Sequence, residues 1–164
     1  MLINLENIFR NEGEVLPLNF EYDFSDVEVS GVHPVTAPVK VTGEIRNRTG
    51  VVTLNAKADY TYCAPCDRCA VDVKRDYSVT LSSLVVYELN DSDNDEFILA
   101  ENMQLDFEEL MRSEVILSFP SKLLCKEDCK GLCAVCGKNL NEGSCSCEKP
   151  TDPRLEVLKQ LLDK

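Results

Sequence analysis

The chemistry of this sequence is concentrated in its nine cysteines. Cys63, Cys66 and Cys69 form one group, Cys125, Cys129, Cys133, Cys136, Cys145 and Cys147 form the other, and none lies elsewhere. Cys133-Ala134-Val135-Cys136-Gly137 has the form of a zinc knuckle. Two thiolates separated by two residues chelate one ion, and a small residue after the second lets the backbone turn beneath the sulfur. Eight residues further on comes Cys145-Ser146-Cys147, across a loop containing Asn139, Asn141 and Gly143. Four thiolates from two short clips make a closed tetrahedral site whose soft donors select zinc, with iron the alternative. Of the remaining five cysteines, Cys66 and Cys69 form a second C-x-x-C clip, and Cys125 and Cys129 form a looser one with three residues between. Together they make a second four-cysteine site and leave Cys63 as a spare thiol. A single shared site is the rival arrangement, because local spacing does not specify a site split between distant segments.

A redox reading competes with metal binding, since Tyr62-Cys63-Ala64-Pro65-Cys66 has the outline of a thioredoxin-type centre. That chemistry lowers a thiol pKa at a helix N-terminus, whereas here a third cysteine follows at once and strand periodicity resumes. A zinc-dependent thiol sensor or oxidoreductase acting through Cys63, Cys66 and Cys69 is therefore the alternative, not the leading reading. Other catalytic machinery is sparse. The one histidine, His33, stands beside Pro34 in a loop-like stretch, and no G-x-S-x-G, Walker-type or G-x-G-x-x-G sequence occurs. Closed four-thiolate sites also leave no coordination position for a substrate. The expectation is a protein that is not an enzyme.

Cysteine use of this kind belongs to a reducing compartment, where thiols serve as metal ligands rather than disulfides. No apolar run approaches the roughly 18 residues of a membrane span, and the first ten residues lack a secretory pattern. The expectation is a soluble, cytoplasmic protein that does not engage a membrane. Net charge is -12, from 29 acids and 17 bases, which argues against coating DNA or any nucleic acid through bulk electrostatics. Residues 88–114 hold 10 acids and 1 base, so nine of the twelve net negative charges sit in 27 residues. Such a stretch is either solvated surface or a docking face for a basic partner.

The elements that must carry the cysteines are mostly strands. Leu18, Phe20, Tyr22 and Phe24 alternate with polar residues, as do Val39, Val41, Gly43 and Ile45, and then Val52, Leu54, Ala56, Ala58, Tyr60 and Tyr62. Asn47-Arg48-Thr49-Gly50 supplies turn chemistry between the last two runs, giving a long antiparallel hairpin. Val71, Val73, Tyr77, Val79 and Leu81 alternate again, which puts the first cysteine group at a hairpin tip. Asn90 to Glu96 reads as an acidic loop. Asp106 is a plausible N-cap for a helix with Glu108 and Glu109 in its first turn and Leu110, Met111, Glu114 and Leu117 on one face, ending before Pro120. A short closing helix begins at Asp152-Pro153 and carries Leu155, Leu158, Leu161 and Leu162. The fold class is α+β: a mostly antiparallel sheet or barrel-like domain with one packed helix over 1–120, then a Cys-rich, zinc-ribbon-like segment and terminal helix over 121–164.

The Ile3-Asn4-Leu5 opening with Gly13-Glu14, the Cys66-Asp67-Arg68-Cys69 clip, the run from Leu124-Cys125 through Asp128-Cys129-Lys130-Gly131-Leu132-Cys133-Ala134-Val135-Cys136-Gly137-Lys138-Asn139-Leu140-Asn141, and Asp152-Pro153-Arg154 together resemble the YceD family, nearly end to end. The resemblance implies a factor needed for accumulation of large-subunit ribosomal RNA. Its partners would be a large-subunit ribosomal protein, precursor rRNA or both, since the family is often encoded beside a zinc-ribbon protein of that subunit. Arg68 is then the candidate for a contact beyond folding, because a guanidinium reads phosphate or carboxylate bidentately. The competing role is pairing with Asp67 or Asp72. Lys130 and Lys138 are the ribbon lysines placed to touch RNA. The third possibility is a metal-stabilised adaptor with no ribosomal role.

Overall fold

The computed structural model describes residues 1–88 and 97–147. The chain opens with a short strand β1 (Leu2–Asn4) and a short helix α1 (Glu6–Arg10). Strands β2 (Val15–Tyr22), β3 (Val39–Arg48), β4 (Val51–Pro65), β5 (Asp72–Val86) and β6 (Phe97–Leu99) then lie side by side in that order as one sheet. The pairs β2·β3 and β3·β4 are antiparallel, and β5·β6 is parallel. Across the β4–β5 hairpin, Thr61 donates to Asp76 at 2.7 Å and Ser82 to Asn55 at 2.7 Å, which holds the two long strands in antiparallel register. A further strand β7 (Gln104–Asp106) pairs with β1, and helix α2 (Phe107–Leu117) follows directly. Mostly antiparallel strands with few helices match the expected α+β class.

The described chain packs as two compact units. The first comprises Met1–Ala64 with Lys74–Ser121, and the second comprises Pro65–Val73 with the described residues from Lys122 on. A division at residue 120 alone places the hairpin tip with the sheet. The packing groups it with the C-terminal segment, because the backbone bonds of Asp67 and Arg68 go to that segment.

Period-two alternation builds the core of the first unit. Leu18 and Tyr22 of β2, Val39, Val41 and Ile45 of β3, and Leu54, Ala56, Ala58, Tyr60 and Tyr62 of β4 are buried on one face. Helix α2 covers that face through Phe107, Met111 and Val115. The Phe107 ring sits 5.8 Å from Phe20, and Phe119, just beyond the helix, reaches Tyr60 and Tyr62 at 5.6 and 5.2 Å. The cap at Asp106 is as expected, its carboxylate accepting from the Glu109 N–H at 3.2 Å. The helix face is not. Instead of Leu110, Met111, Glu114 and Leu117, the buried stripe is Phe107, Met111 and Val115, while Leu117 is 80% exposed. The first helical residue is a phenylalanine seated against Phe20, and it sets the rotation.

The β3–β4 turn consists of Thr49 (φ 53°) and Gly50 (φ 83°), both left-handed as a two-residue hairpin requires. Asn47, the buried polar side chain among the described residues, accepts from Gly50 N at 3.0 Å and donates to the Ile8 carbonyl at 2.7 Å. It thereby ties α1 to the hairpin. Strand β2 stops at Tyr22, and Phe24 is buried beyond it under the Arg112 guanidinium, 5.2 Å from the ring centre, with Arg112 paired to Asp26. The acidic loop at 90–96 and the closing helix from Asp152 lie outside the described residues.

Gly43 is where β3 tolerates no side chain, since a Cβ there would stand 2.2 Å from the Asn55 carbonyl oxygen and 2.7 Å from Ala56 Cα on β4. Both obstacles are backbone. Replacing Gly43 with alanine should lower the urea midpoint by an amount equivalent to at least about 2 kcal/mol. An alanine variant as stable as the parent would contradict this packing.

Candidate metal centres

Both C-x-x-C clips fold into the same knuckle. At the hairpin tip, Cys66 N donates to the Val71 carbonyl at 2.8 Å and Ala70 N to the Cys66 carbonyl at 2.9 Å. In the second clip Cys133 N donates to Lys138 at 2.8 Å and Gly137 N to Cys133 at 2.9 Å. The residue after the second cysteine is left-handed in each, Gly137 at φ 71° and Ala70 at φ 56°. The turn brings both thiols of a clip to one side and aims backbone N–H groups at sulfur, as in Val135 N to Cys133 Sγ at 3.4 Å.

Two four-sulfur clusters result, each within the second unit. Cys66, Cys69, Cys125 and Cys129 converge in one, and Cys133, Cys136, Cys145 and Cys147 in the other, with the sulfurs of each set within 4.8 Å of one another. Cys66 Sγ lies 3.8 Å from Cys129 Sγ, and Cys69 Sγ 3.5 Å from Cys125 Sγ. A disulfide needs about 2.05 Å. Tetrahedral thiolates around one ion at a zinc–sulfur distance of about 2.3 Å stand about 3.8 Å apart. The geometry is that of ligands to a metal ion, and all nine cysteines are free of disulfides. Cys66, Cys69 and Cys129 are buried, whereas the second set is half-buried with Cys136 exposed.

Electrostatics makes the same demand. Burial works against a thiolate at Cys66, but the N–H groups of Arg68 and Cys125 pointing at it carry its pKa down to about 6. At Cys133 the N–H groups of Cys136 and Val135 do the same, again to about 6. The cost falls on their neighbours: burial, then the adjacent Cys129, pushes Cys125 up to about 12, and Cys136 beside Cys147 pushes that thiol to about 12. Each cluster thus favours one thiolate and holds another thiol protonated, a conflict that a bound cation would relieve.

The first cluster is held by contacts that spacing does not reveal. Asp67 clasps Leu123 through both its N–H, donated to the Leu123 carbonyl at 2.9 Å, and its carboxylate, which accepts from Leu123 N at 2.6 Å. Arg68 spends a guanidinium N–H on the Cys129 carbonyl at 2.7 Å, so it meets neither Asp67 nor Asp72 through that bond but a ligand's own backbone. Its carbonyl accepts from Leu132 N at 3.1 Å. Gly131, at φ +74°, permits this approach, because a Cβ there would sit 2.9 Å from the Arg68 oxygen. Of the two ribbon lysines, Lys138 donates to the Ser144 carbonyl at 3.0 Å within its own loop, while Lys130 has an exposed side chain and donates its backbone N–H to Asn141 at 2.9 Å. Cys63 belongs to neither cluster. It sits on β4 in the first unit, its N–H donated to Pro34 at 2.7 Å. His33 is exposed.

Replacing Cys66 with serine should remove one bound metal equivalent per chain by elemental analysis, while Cys63→Ser should remove none. Metal retention against a competing chelator, corrected for the chelator's own protonation, should weaken as pH falls. Protons and metal compete for the same sulfurs, and the fall should steepen below about 6, where Cys66 and Cys133 also take up protons. Two of the left-handed positions, Gly131 and Ala70, should respond differently. Gly131→Ala should destabilise the metal-loaded protein by about 1–3 kcal/mol, and Ala70→Gly should be neutral or stabilising by up to about 1 kcal/mol, measured as shifts in thermal midpoint.

Comparison with known proteins places this arrangement. The chain is 26% identical over 129 residues to the uncharacterized protein YlbN of Bacillus subtilis (strain 168), an alignment covering 77% of this chain and 75% of that protein. No solved structure matches. A family model described as large ribosomal RNA subunit accumulation protein YceD matches residues 54–162. That span takes in the β4–β5 hairpin, α2 and both four-cysteine clusters, and the chain accordingly belongs to the YceD family.

Proposed function

We propose that this protein supports accumulation of large-subunit ribosomal RNA as an assembly factor that acts by binding rather than by catalysis. Membership of a family described by that role carries the reading. In it, each four-cysteine cluster holds a structural zinc ion and the C-terminal segment is a zinc-ribbon-like module. The chain's residues supply all four ligands at each site, so the ion stabilises the fold and offers no open position for chemistry.

The ligand is a basic large-subunit ribosomal protein, precursor rRNA, or both. Exposed carboxylates at Glu101, Glu108 and Glu109 support the first, standing in the described part of the acidic 88–114 stretch with only Arg112 among them. For RNA, Lys130 is the better placed of the two lysines, since Lys138 already braces its own loop. Arg68 contributes by holding Cys129. The geometry does not favour the thiol-exchange alternative, because Cys66 and Cys69, two of its three thiols, stand in a four-sulfur cluster.

Depleting the protein in its own host should lower mature large-subunit rRNA relative to small-subunit rRNA and raise its precursors. An unchanged ratio would sink the ribosomal reading. Capture of a basic ribosomal protein should weaken steeply between low and high salt if charge drives docking, and salt-insensitive capture would remove the acidic stretch from the account.

A further inference from the structure

Asn141 stands between the two clusters. It belongs to the loop at 137–144 that separates the ligand pairs Cys133/Cys136 and Cys145/Cys147, so it is positioned by the second cluster. Its side chain nevertheless serves the first. The amide Nδ2 donates to Cys129 Sγ at 3.3 Å, and Oδ1 accepts from Lys130 N at 2.9 Å, immediately after that ligand. The loop that presents it is firmly braced. Leu140 N donates to the Gly131 carbonyl at 2.9 Å, Leu132 and Asn139 form an antiparallel bridge, and Asn139 Oδ1 accepts both the N–H and the side-chain amide of Asn141 at 3.1 and 2.9 Å. One end of the brace is fixed by Cys133 and Cys136 and the other by Cys145, with Lys138 tied to Ser144 across the loop mouth.

We infer that Asn141 is a positioning residue that couples the two metal sites, so that filling the second cluster strengthens metal binding at the first. The physical route is short. With the second site filled, the 137–144 loop is closed at both ends and the amide is held against Cys129. With it empty, the loop keeps its bonds to Gly131 and Leu132 but not its closure at both ends, so the order it loses must be restored when the first site binds, and that entropic cost subtracts from affinity there. An N–H donated to a ligating thiolate also draws charge from the sulfur and fixes its orientation, the ordinary effect of outer-shell partners on metal ligands. The inference rests on both clusters holding metal. It goes beyond that in giving the loading a direction and a residue responsible for it.

The test is a double-mutant cycle on the full-length chain. Cobalt(II) serves as a spectroscopic probe, chelator competition gives first-site affinity, and native mass spectrometry counts ions. Relative to the parent, Cys145→Ser/Cys147→Ser should weaken the first site about tenfold, within the range seen for outer-shell partners of metal ligands. Asn141→Asp keeps the acceptor for Lys130 and loses the donor to Cys129. It should weaken the first site by a similar factor and shift its sulfur-to-cobalt charge-transfer band to lower energy. Combining the two should cost little more than either alone, since both break one connection. Additive losses, or a first site indifferent to the state of the second while the parent binds two ions, would overturn the coupling and leave the metal reading intact. A parent that binds no metal ends both. Should the serine variants fail to fold, the parent and Asn141→Asp can be compared at one cobalt equivalent per chain. The parent should then show fewer singly loaded molecules than the variant, and equal fractions would count against coupling.

Discussion

Four thiols held within 4.8 Å of one another cannot all ionise, and the second unit is arranged around that conflict. Backbone N–H groups lower the first thiol of each cluster, while Cys125 in one and Cys147 in the other are driven the opposite way. A divalent cation reverses the balance, turning mutual repulsion into common attraction. The unit has little else to hold it. Beyond the three buried cysteines, its buried apolar side chains among the described residues are Leu123 and Val73, far short of what a small domain needs to fold by hydrophobic burial alone. An ion held by these thiols would therefore be the reason for Asp67, Arg68 and Gly131 to sit where they do.

The first unit obeys a different rule. Its strands alternate faithfully, its helix is capped, and its interior is aliphatic and aromatic, with Asn47 as the polar exception that stitches α1 to the β3–β4 turn. Burial of this kind needs no ion. The chain thus joins a unit stabilised by excluded water to one whose thiols are placed for coordination, and with metal bound the two should answer to different stresses, denaturant in one case and chelator or acid in the other.

What could be read from the residues followed this split. Period two located β2 to β5 because one face of each strand is more buried than the other, and the hairpin turn was legible because its left-handed backbone favours glycine at 50. Asp106 announced its helix, but the buried face of that helix depends on where Phe107 meets Phe20, a contact with no local signature. Strands β1 and β7, of three residues each, are too short to show a period. The cysteine spacing marked each clip, and arithmetic proposed which clips share an ion. The contacts that align them, Asp67 with Leu123, Arg68 with Cys129 and Asn141 with Cys129, join residues whose types are common on any surface. Gly131 came closest to a readable signal, since a glycine between two ligands marks a place where backbone must pass close to backbone.

The two clusters differ in one respect that matters before the protein is finished. Cys133 to Cys147 span 15 residues and leave the ribosome almost together, whereas Cys69 and Cys125 are 56 residues apart. At ordinary elongation rates the hairpin tip waits about 3 to 10 seconds with two bare thiols before its other ligands are made. Throughout that interval Cys66 and Cys69 are open to oxidants and to stray soft metals, with Cys63 close by in sequence as a ready partner for a wrong disulfide. Faithful assembly of the first site is thus a race against time in the newborn chain.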